Sequence, residues 1–363
     1  MRIAQIAPLH ESVPPREYGG TERVVHFLTE ELVRQGHEVT LFASADSQTA
    51  AELVSASPES LRNANGRRRT DTLAWHLIEL EQVASRWGEF DVLHFHVGHL
   101  HFPLARRSPV PTVTTLHGRL DLPELAPLFA EYSELPLVSI SDAQRAPLPD
   151  RNWRRTIHHG LPLDLHRPST GRGEYLAFLG RISSEKRVDR AIEIAQRAGW
   201  PLRIAAKVDP SDQEYFESTI EPLLGQPGIE YIGEIGEDAK SEFLGGAHAL
   251  LFPIDWPEPF GLVMIESFAC GTPVIAFRRG SVPEVMAGGE TGFVVENVDQ
   301  AVEAVARIPS ISRSRCREVF EERFSVERMA REYVEVYRAL PAPLVSTPPT
   351  SSTPPTASGG PRG

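Results

Sequence analysis

The chain has 363 residues, of which 41% are hydrophobic, and a formal net charge of −12. This length favours two domains over one, and the acid excess, shared by both halves, argues against broad nucleic-acid binding. Two cysteines, Cys270 and Cys316, are too few for a disulfide framework and fit a reduced, cytoplasmic compartment.

The N-terminal MRIAQIAPLHES has too short an apolar core for a signal peptide and reads as a first strand. A helix over 21–36 follows, with apolar residues near the 3.6 spacing and Gly36 at its end. Next come a strand at 38–44, a helix at 72–87, and short apolar strands at 91–95, 112–117 and 137–141. The segment 158–174, HHGLPLDLHRPSTGRGE, is rich in Pro and Gly and weakly periodic, as a linker is. After it the pattern restarts with strands at 175–180, 202–208, 229–233, 249–254 and 273–277, separated by helices at 188–199, 213–225, 237–247 and 261–271. A long amphipathic helical stretch, about 312–340, is long enough to cross back over the first half. No run approaches the roughly 18 apolar residues of a membrane span.

Strand then helix, repeated, predicts an α/β protein with two parallel sheets, each doubly wound. The expected domains are 1–165 and 166–340, with their carboxyl sheet edges facing a cleft, where ligands bind in such folds. The tail 341–363 is Pro, Ser and Thr without a core pattern and reads as disordered.

The most informative run is EPFGLVMIE, with Glu258 and Glu266 eight positions apart. An apolar strand leads to it, and the sequence after Glu258 opens a helix. Backbone N–H groups and the positive end of the helix dipole then meet at one point, an anion site. Carboxylates on either side can accept hydrogen bonds from polyols, so the run describes phosphate between two hydroxyl-rich groups. The bland alternative is that acids favour helix starts for dipole reasons alone.

GRISSEKR places Arg181 and Lys186 past a strand, spaced to clamp a diphosphate. Of 37 basic residues only Lys186, Lys207 and Lys240 are lysine, which makes each of them more pointed. GGTERVV puts Gly20 before a helix, where backbone can approach a phosphate or sugar; the plainer reading is a tight turn with Thr21 as the helix cap. TVTTLHG ends a strand with His117, able to bond a hydroxyl or phosphate. His94, His96, His99 and His101 read as polar lining of the cleft edge rather than a metal site, and Trp256 as a sugar cover or a packing residue. Arginine pairs and runs at 67–69 and 106–107 offer peripheral contact with anionic lipid.

Together these segments resemble the retaining nucleotide-sugar glycosyltransferases of family four, which have the GT-B fold. The resemblance covers most of residues 1–340: GGTERVV, DVLHFH, TLHG, SISDAQR, HHGLPLDLHRP, GRISSEKR, and EPFGLVMIESFACGTPVIAF with GETGFVV. It implies that Arg181 and Lys186 bind the donor diphosphate, Glu266 the ribose, and Glu258 the transferred sugar. Phe260, Gly261 and Leu262 would offer backbone N–H groups, Gly20 would approach the phosphates, and His117 would sit near the reacting centre. The donor would be a UDP- or GDP-sugar and the acceptor a hydroxyl compound, with no metal or other cofactor. The chain departs from the family pattern at His159, where Asn is common, and at Arg187, where Gly is common. The alternatives are an epimerase or phosphorylase on the same frame, or a nucleotide-sugar-binding subunit without activity.

Overall fold

The structure, a computed structural model, describes residues 1–16, 19–62 and 71–343. Seven parallel strands form the first sheet: β1 (Arg2–Ile6), β2 (Glu38–Ser44), β3 (Glu52–Ser57), β4 (Val92–Phe95), β5 (Thr112–Thr115), β6 (Leu137–Ser139) and β7 (Trp153–Thr156). Six more form the second: β8 (Tyr175–Arg181), β9 (Leu202–Lys207), β10 (Ile229–Gly233), β11 (Ala247–Phe252), β12 (Val274–Phe277) and β13 (Gly292–Val295). The strand orders are β3-β2-β1-β4-β5-β6-β7 and β10-β9-β8-β11-β12-β13. In each sheet the order reverses beside the first strand, between β1 and β4 and between β8 and β11. A crevice opens at such switch points, outside the carboxyl ends of the strands.

Both sheets carry apolar residues on both faces because helices cover both faces. Ile3 pairs with Val39 and Val92, and all three are buried. In the second sheet Phe178 pairs with Ile204, again buried. The edge strands β3, β7 and β13 were not expected; ELVSAS and WRRT are largely half-exposed and lack the apolar run of a central strand, and GFVV is only four residues long.

The last helix does cross back. Helix Val326–Arg338 packs on helix Gly20–Arg34 of the first domain, burying Met329, Ala330, Tyr333 and Tyr337. One apolar cluster joins Leu28 and Val113 of the first domain to Phe268 and Val274 of the second through this helix. The expected single stretch over 312–340 is two helices, Arg313–Arg323 and Val326–Arg338. The break has two causes. Ser325 Oγ caps the second helix by accepting the Arg328 N–H. Leu161 of the linker then bridges the gap, its N–H donating to Phe324 O at 2.8 Å and its carbonyl accepting from Val326 N at 3.0 Å. The expected helix at 213–225 is also irregular: a wide π turn over Phe216–Ile220 interrupts it.

Among the described residues no helix is long and apolar enough to cross a membrane. Of the pair at 106–107, Arg106 lies 2.8 and 2.5 Å from Glu131 and Glu134. The run at 67–69 and the tail from 344 onward lie outside the described residues.

Candidate functional site

A cavity of about 490 Å³ lies in the cleft and is lined from both domains. From the first domain come Gly20, Glu22, Arg23 and His117; from the second come Arg181, Lys186, Glu258, Phe260, Gly261, Leu262 and Glu266. All nine site residues expected from the sequence therefore line one space.

Helix Leu262–Ala269 begins at Gly261, whose φ of 81° lies in the left-handed region that favours glycine. A Cβ there would also come within 2.8 Å of the Met264 side chain. Glycine thus lets the chain turn from the Glu258 loop directly into the helix, with its first N–H groups beside the cavity. The first domain helps to hold this loop. Ser141 Oγ donates to Pro259 O at 2.7 Å. Glu284, in turn, accepts the N–H groups of Asp142 and Ala143 at 2.7 and 2.6 Å.

Glu258 is not an isolated carboxylate. Lys186 Nζ donates to its Oε2, and Trp256 Nε1 donates to the same oxygen at 3.0 Å. The ammonium also lies 4.9 Å from the Trp256 ring centre, in cation–π range. Trp256 is thus part of the charged site. Arg181 lies within 3.5–3.6 Å of Glu185, Asp209 and Asp212. Both expected clamp cations thus lie against carboxylates.

Glu266 is buried at 3% exposure, on the inner face of its helix. Lys240 Nζ donates to Oε1 at 2.7 Å, and Arg23 of the first domain lies 3.5 Å from the same atom and 2.8 Å from Glu237. Burial alone would raise this carboxyl, but Lys240, Arg23 and His166 overcome it and hold it down at about 2. His166, Glu237 and Glu266 have ligand atoms within 4.8 Å of one another, the one such group among the described residues. A cation there would compete with the ammonium and guanidinium already on Glu266.

Neither Lys240 nor Arg23 was given a role in the site from the sequence. The signals were present: Lys240 is one of three lysines, and Arg23 sits inside GGTERVV. Glu22 was missed as well. It is buried in the cavity wall, and burial pushes its carboxyl up to about 7. Thr21 is not the helix cap; Gly19 occupies that position, with no side-chain bond.

His117 packs 5.4 Å from His159 with the rings nearly parallel. Burial holds its imidazole down at about 3. The expectation of His94, His96 and His101 at the cleft edge is corrected: all three are buried, at 0, 3 and 0% exposure. They lie in the first domain's interior, where His94 Nδ1 meets the Tyr337 hydroxyl at 2.8 Å and His101 stacks on Phe95 at 3.9 Å.

Comparison with known proteins agrees with this geometry. Residues 18–182 match the family described as Glycosyltransferase Family 4, and residues 167–324 match Glycosyl transferases group 1. The chain is 26% identical over 366 residues to D-inositol 3-phosphate glycosyltransferase of Streptomyces scabiei, covering 85% of this chain and 81% of that one. Among solved structures it is similar to sucrose-phosphate synthase from Thermosynechococcus elongatus, with a TM-score of 0.77, 20% identity, and 93% and 98% of the two chains covered. Anabaena HepE in complex with UDP and glucose gives a TM-score of 0.72 at 16% identity, covering 94% and 100%. Two parallel-sheet domains closing on a cleft, with these matches, define a glycosyltransferase of the GT-B fold. The chain belongs to the family-four type of these enzymes.

Proposed function

We propose that the protein transfers a hexosyl group from a nucleoside diphosphate sugar, a UDP- or GDP-sugar, to an acceptor hydroxyl, with retention of anomeric configuration and without a metal. Residues 1–165 serve the acceptor side and 166–340 the donor side. One observation carries this reading: Glu258, Phe260, Gly261, Leu262 and Glu266 share a single cavity with Arg181 and Lys186, and Gly20 and His117 close it from the other domain. That HepE, a protein of similar fold, forms a complex with UDP and glucose supports a nucleotide-sugar donor.

In this reading Glu266, held ionised, accepts the ribose hydroxyls. The diphosphate takes Lys186 from Glu258 and Arg181 from its three carboxylates. Released from Lys186, Glu258 turns its lone pairs to hydroxyls of the sugar. Phe260, Gly261 and Leu262 bring backbone N–H groups to the sugar and phosphate, and Gly20 lets the first domain approach. The base lies by the backbone of Gly233 to Gly236, where Glu234 and Ile235 line the cavity. The bond from the anomeric carbon to the phosphate oxygen breaks while the acceptor oxygen attacks the same face. Lys186, Arg181 and the helix N-terminus stabilise the charge gathering on the leaving diphosphate, which takes the acceptor's proton.

A thermal-shift panel of UDP-, GDP- and ADP-sugars with EDTA tests this on wild type and Glu266→Ala. One nucleotide series is expected to raise the melting temperature, because a ligand of the folded state alone stabilises it, and the variant is expected to lose the effect. No shift with any donor at millimolar concentration would overturn the reading.

A further inference from the structure

His117 is the cleft end of a buried hydrogen-bonded chain. Its Nε2 lies 2.9 Å from Nδ1 of His96, and Nε2 of His96 lies 2.8 Å from Oε1 of Gln5 on β1. The Gln5 amide nitrogen donates to the Tyr337 hydroxyl at 3.2 Å. That hydroxyl lies 2.8 Å from Nδ1 of His94, whose Nε2 is 2.7 Å from Thr115 Oγ1. Thr115 meets the Tyr333 hydroxyl at 3.0 Å. The chain thus runs from the cleft, through the first sheet, to the last helix.

The direction of each bond follows from elementary chemistry. Burial holds His94, His96 and His117 well below their ordinary range, so each imidazole is neutral, with one N–H and one lone pair. An amide oxygen only accepts, so His96 carries its proton on Nε2 and turns a lone pair at Nδ1 to His117. His117 must then donate from Nε2, which leaves a lone pair on Nδ1. That Nδ1 is buried and meets no hydrogen-bond partner, although its ring lines the cavity. A buried acceptor without a partner is costly, and a ligand hydroxyl would satisfy it.

We propose that Gln5 and His96 are positioning residues for the transfer: they fix His117 as the Nε2–H tautomer, so that its Nδ1 accepts a hydrogen bond from a hydroxyl of the transferred sugar. The sugar contact rests on the nucleotide-sugar reading of the cleft; the tautomer does not. Tyr337 supports the chain from the far side. It keeps the Gln5 amide oriented, but the Gln5 oxygen alone sets the proton on His96.

The test is a long-range proton–nitrogen NMR spectrum of the full-length protein labelled with nitrogen-15 histidine, with His117→Asn to identify the signal. In the ligand-free wild type, His117 is expected to show a protonated Nε2 and a bare Nδ1. Tyr333→Phe, which removes a buried hydroxyl of the same helix that does not touch Gln5, is expected to keep that pattern and Gln5→Leu to lose it, whereas a merely structural role would disturb both variants alike. In kinetics Gln5→Leu is expected to lower kcat about 10- to 100-fold, as a misplaced site group does, with little change in donor KM. A protonated Nδ1 in the wild type, or an unchanged tautomer in Gln5→Leu, would overturn the proposal. With the nucleotide sugar that the thermal-shift panel selects, the Nδ1 signal is expected to move, and the matching nucleoside diphosphate is expected to leave it in place. Equal movement with both would overturn the sugar contact. A panel without a binder would overturn the reading of the cleft, while the tautomer is decided in the ligand-free protein.

Discussion

Replacing Lys240 by Met removes the ammonium that lies 2.7 Å from the buried Glu266 carboxylate while keeping most of the side-chain volume. Glu266 titrates at about 2 against an ordinary 4.5, with burial opposing the shift and Lys240, Arg23 and His166 producing it. That gap corresponds to about 3 kcal/mol, at about 1.4 kcal/mol for each tenfold change in proton affinity. The sign is that of a depressed carboxyl: the stabilisation is complete above about 4.5 and lost as the pH falls towards about 2. Arg23 stays in Lys240→Met, so the variant is expected to lose about 2–3 kcal/mol at pH 7, near the lower end for breaking a buried pair. Unfolding of two domains need not be a single step, so the assay is native-state hydrogen exchange of the amides in helix Leu262–Ala269, which reads local opening directly. Adding Glu266→Gln to Lys240→Met is expected to recover most of the loss. A loss below about 0.5 kcal/mol, the range of an exposed ion pair, would show that Glu266 does not depend on Lys240, as would a double variant no better than the single one.

Three further predictions concern other parts of the molecule. Lys186→Ala is expected to lower kcat about 100- to 1,000-fold, the usual cost of losing one charge-stabilising donor; steady-state rates near wild type would remove it from the phosphate clamp. Glu79 is fully buried, with both carboxyl oxygens unbonded, and burial alone pushes it well above the ordinary range. The folded state therefore holds a proton that the unfolded chain releases, and stability is lost as pH rises above about 4.5. Glu79→Met is expected to add about 1–3 kcal/mol at pH 7 and to flatten this slope in urea titrations across pH 5–8. Gly280 has a φ of 51°, and a Cβ there would meet Glu258 O at 2.3 Å and Glu258 N at 2.4 Å. Gly280→Ala is expected to displace the Glu258 loop, lowering both activity and Tm; full activity in this variant would show that the loop yields freely.

The parts legible in the sequence were the contiguous ones. EPFGLVMIE carries a strand end, a turn glycine and a helix start within nine residues, so local chemistry fixes its geometry. The alternation of apolar strands and amphipathic helices likewise predicts two parallel sheets, and ligands at their carboxyl edges. What stayed hidden depends on tertiary contact. Arg23 reaches Glu266 from 243 positions away and from the other domain, and no spacing rule reports that. The two-residue period of a strand places His94 and His96 on one face, but only packing of the last helix turns that face into an interior. The apolar stripe of the C-terminal stretch continues through Phe320, Val326 and Ala330, and this masked the break that Ser325 and Leu161 impose. Lys186 was legible as a cation near phosphate; its pairing with Glu258 was not, because the two lie 72 positions apart.

Metal-independent transfer with retention can be followed in a proton NMR time course. The nucleotide sugar selected by thermal shift is incubated with wild-type protein, EDTA and a set of saccharide acceptors. Nucleoside diphosphate is expected to be released only with an acceptor, together with a new glycosidic signal of the same anomeric configuration as the donor. Inversion of that configuration, or turnover that returns only on adding a divalent metal, would contradict the proposed transfer.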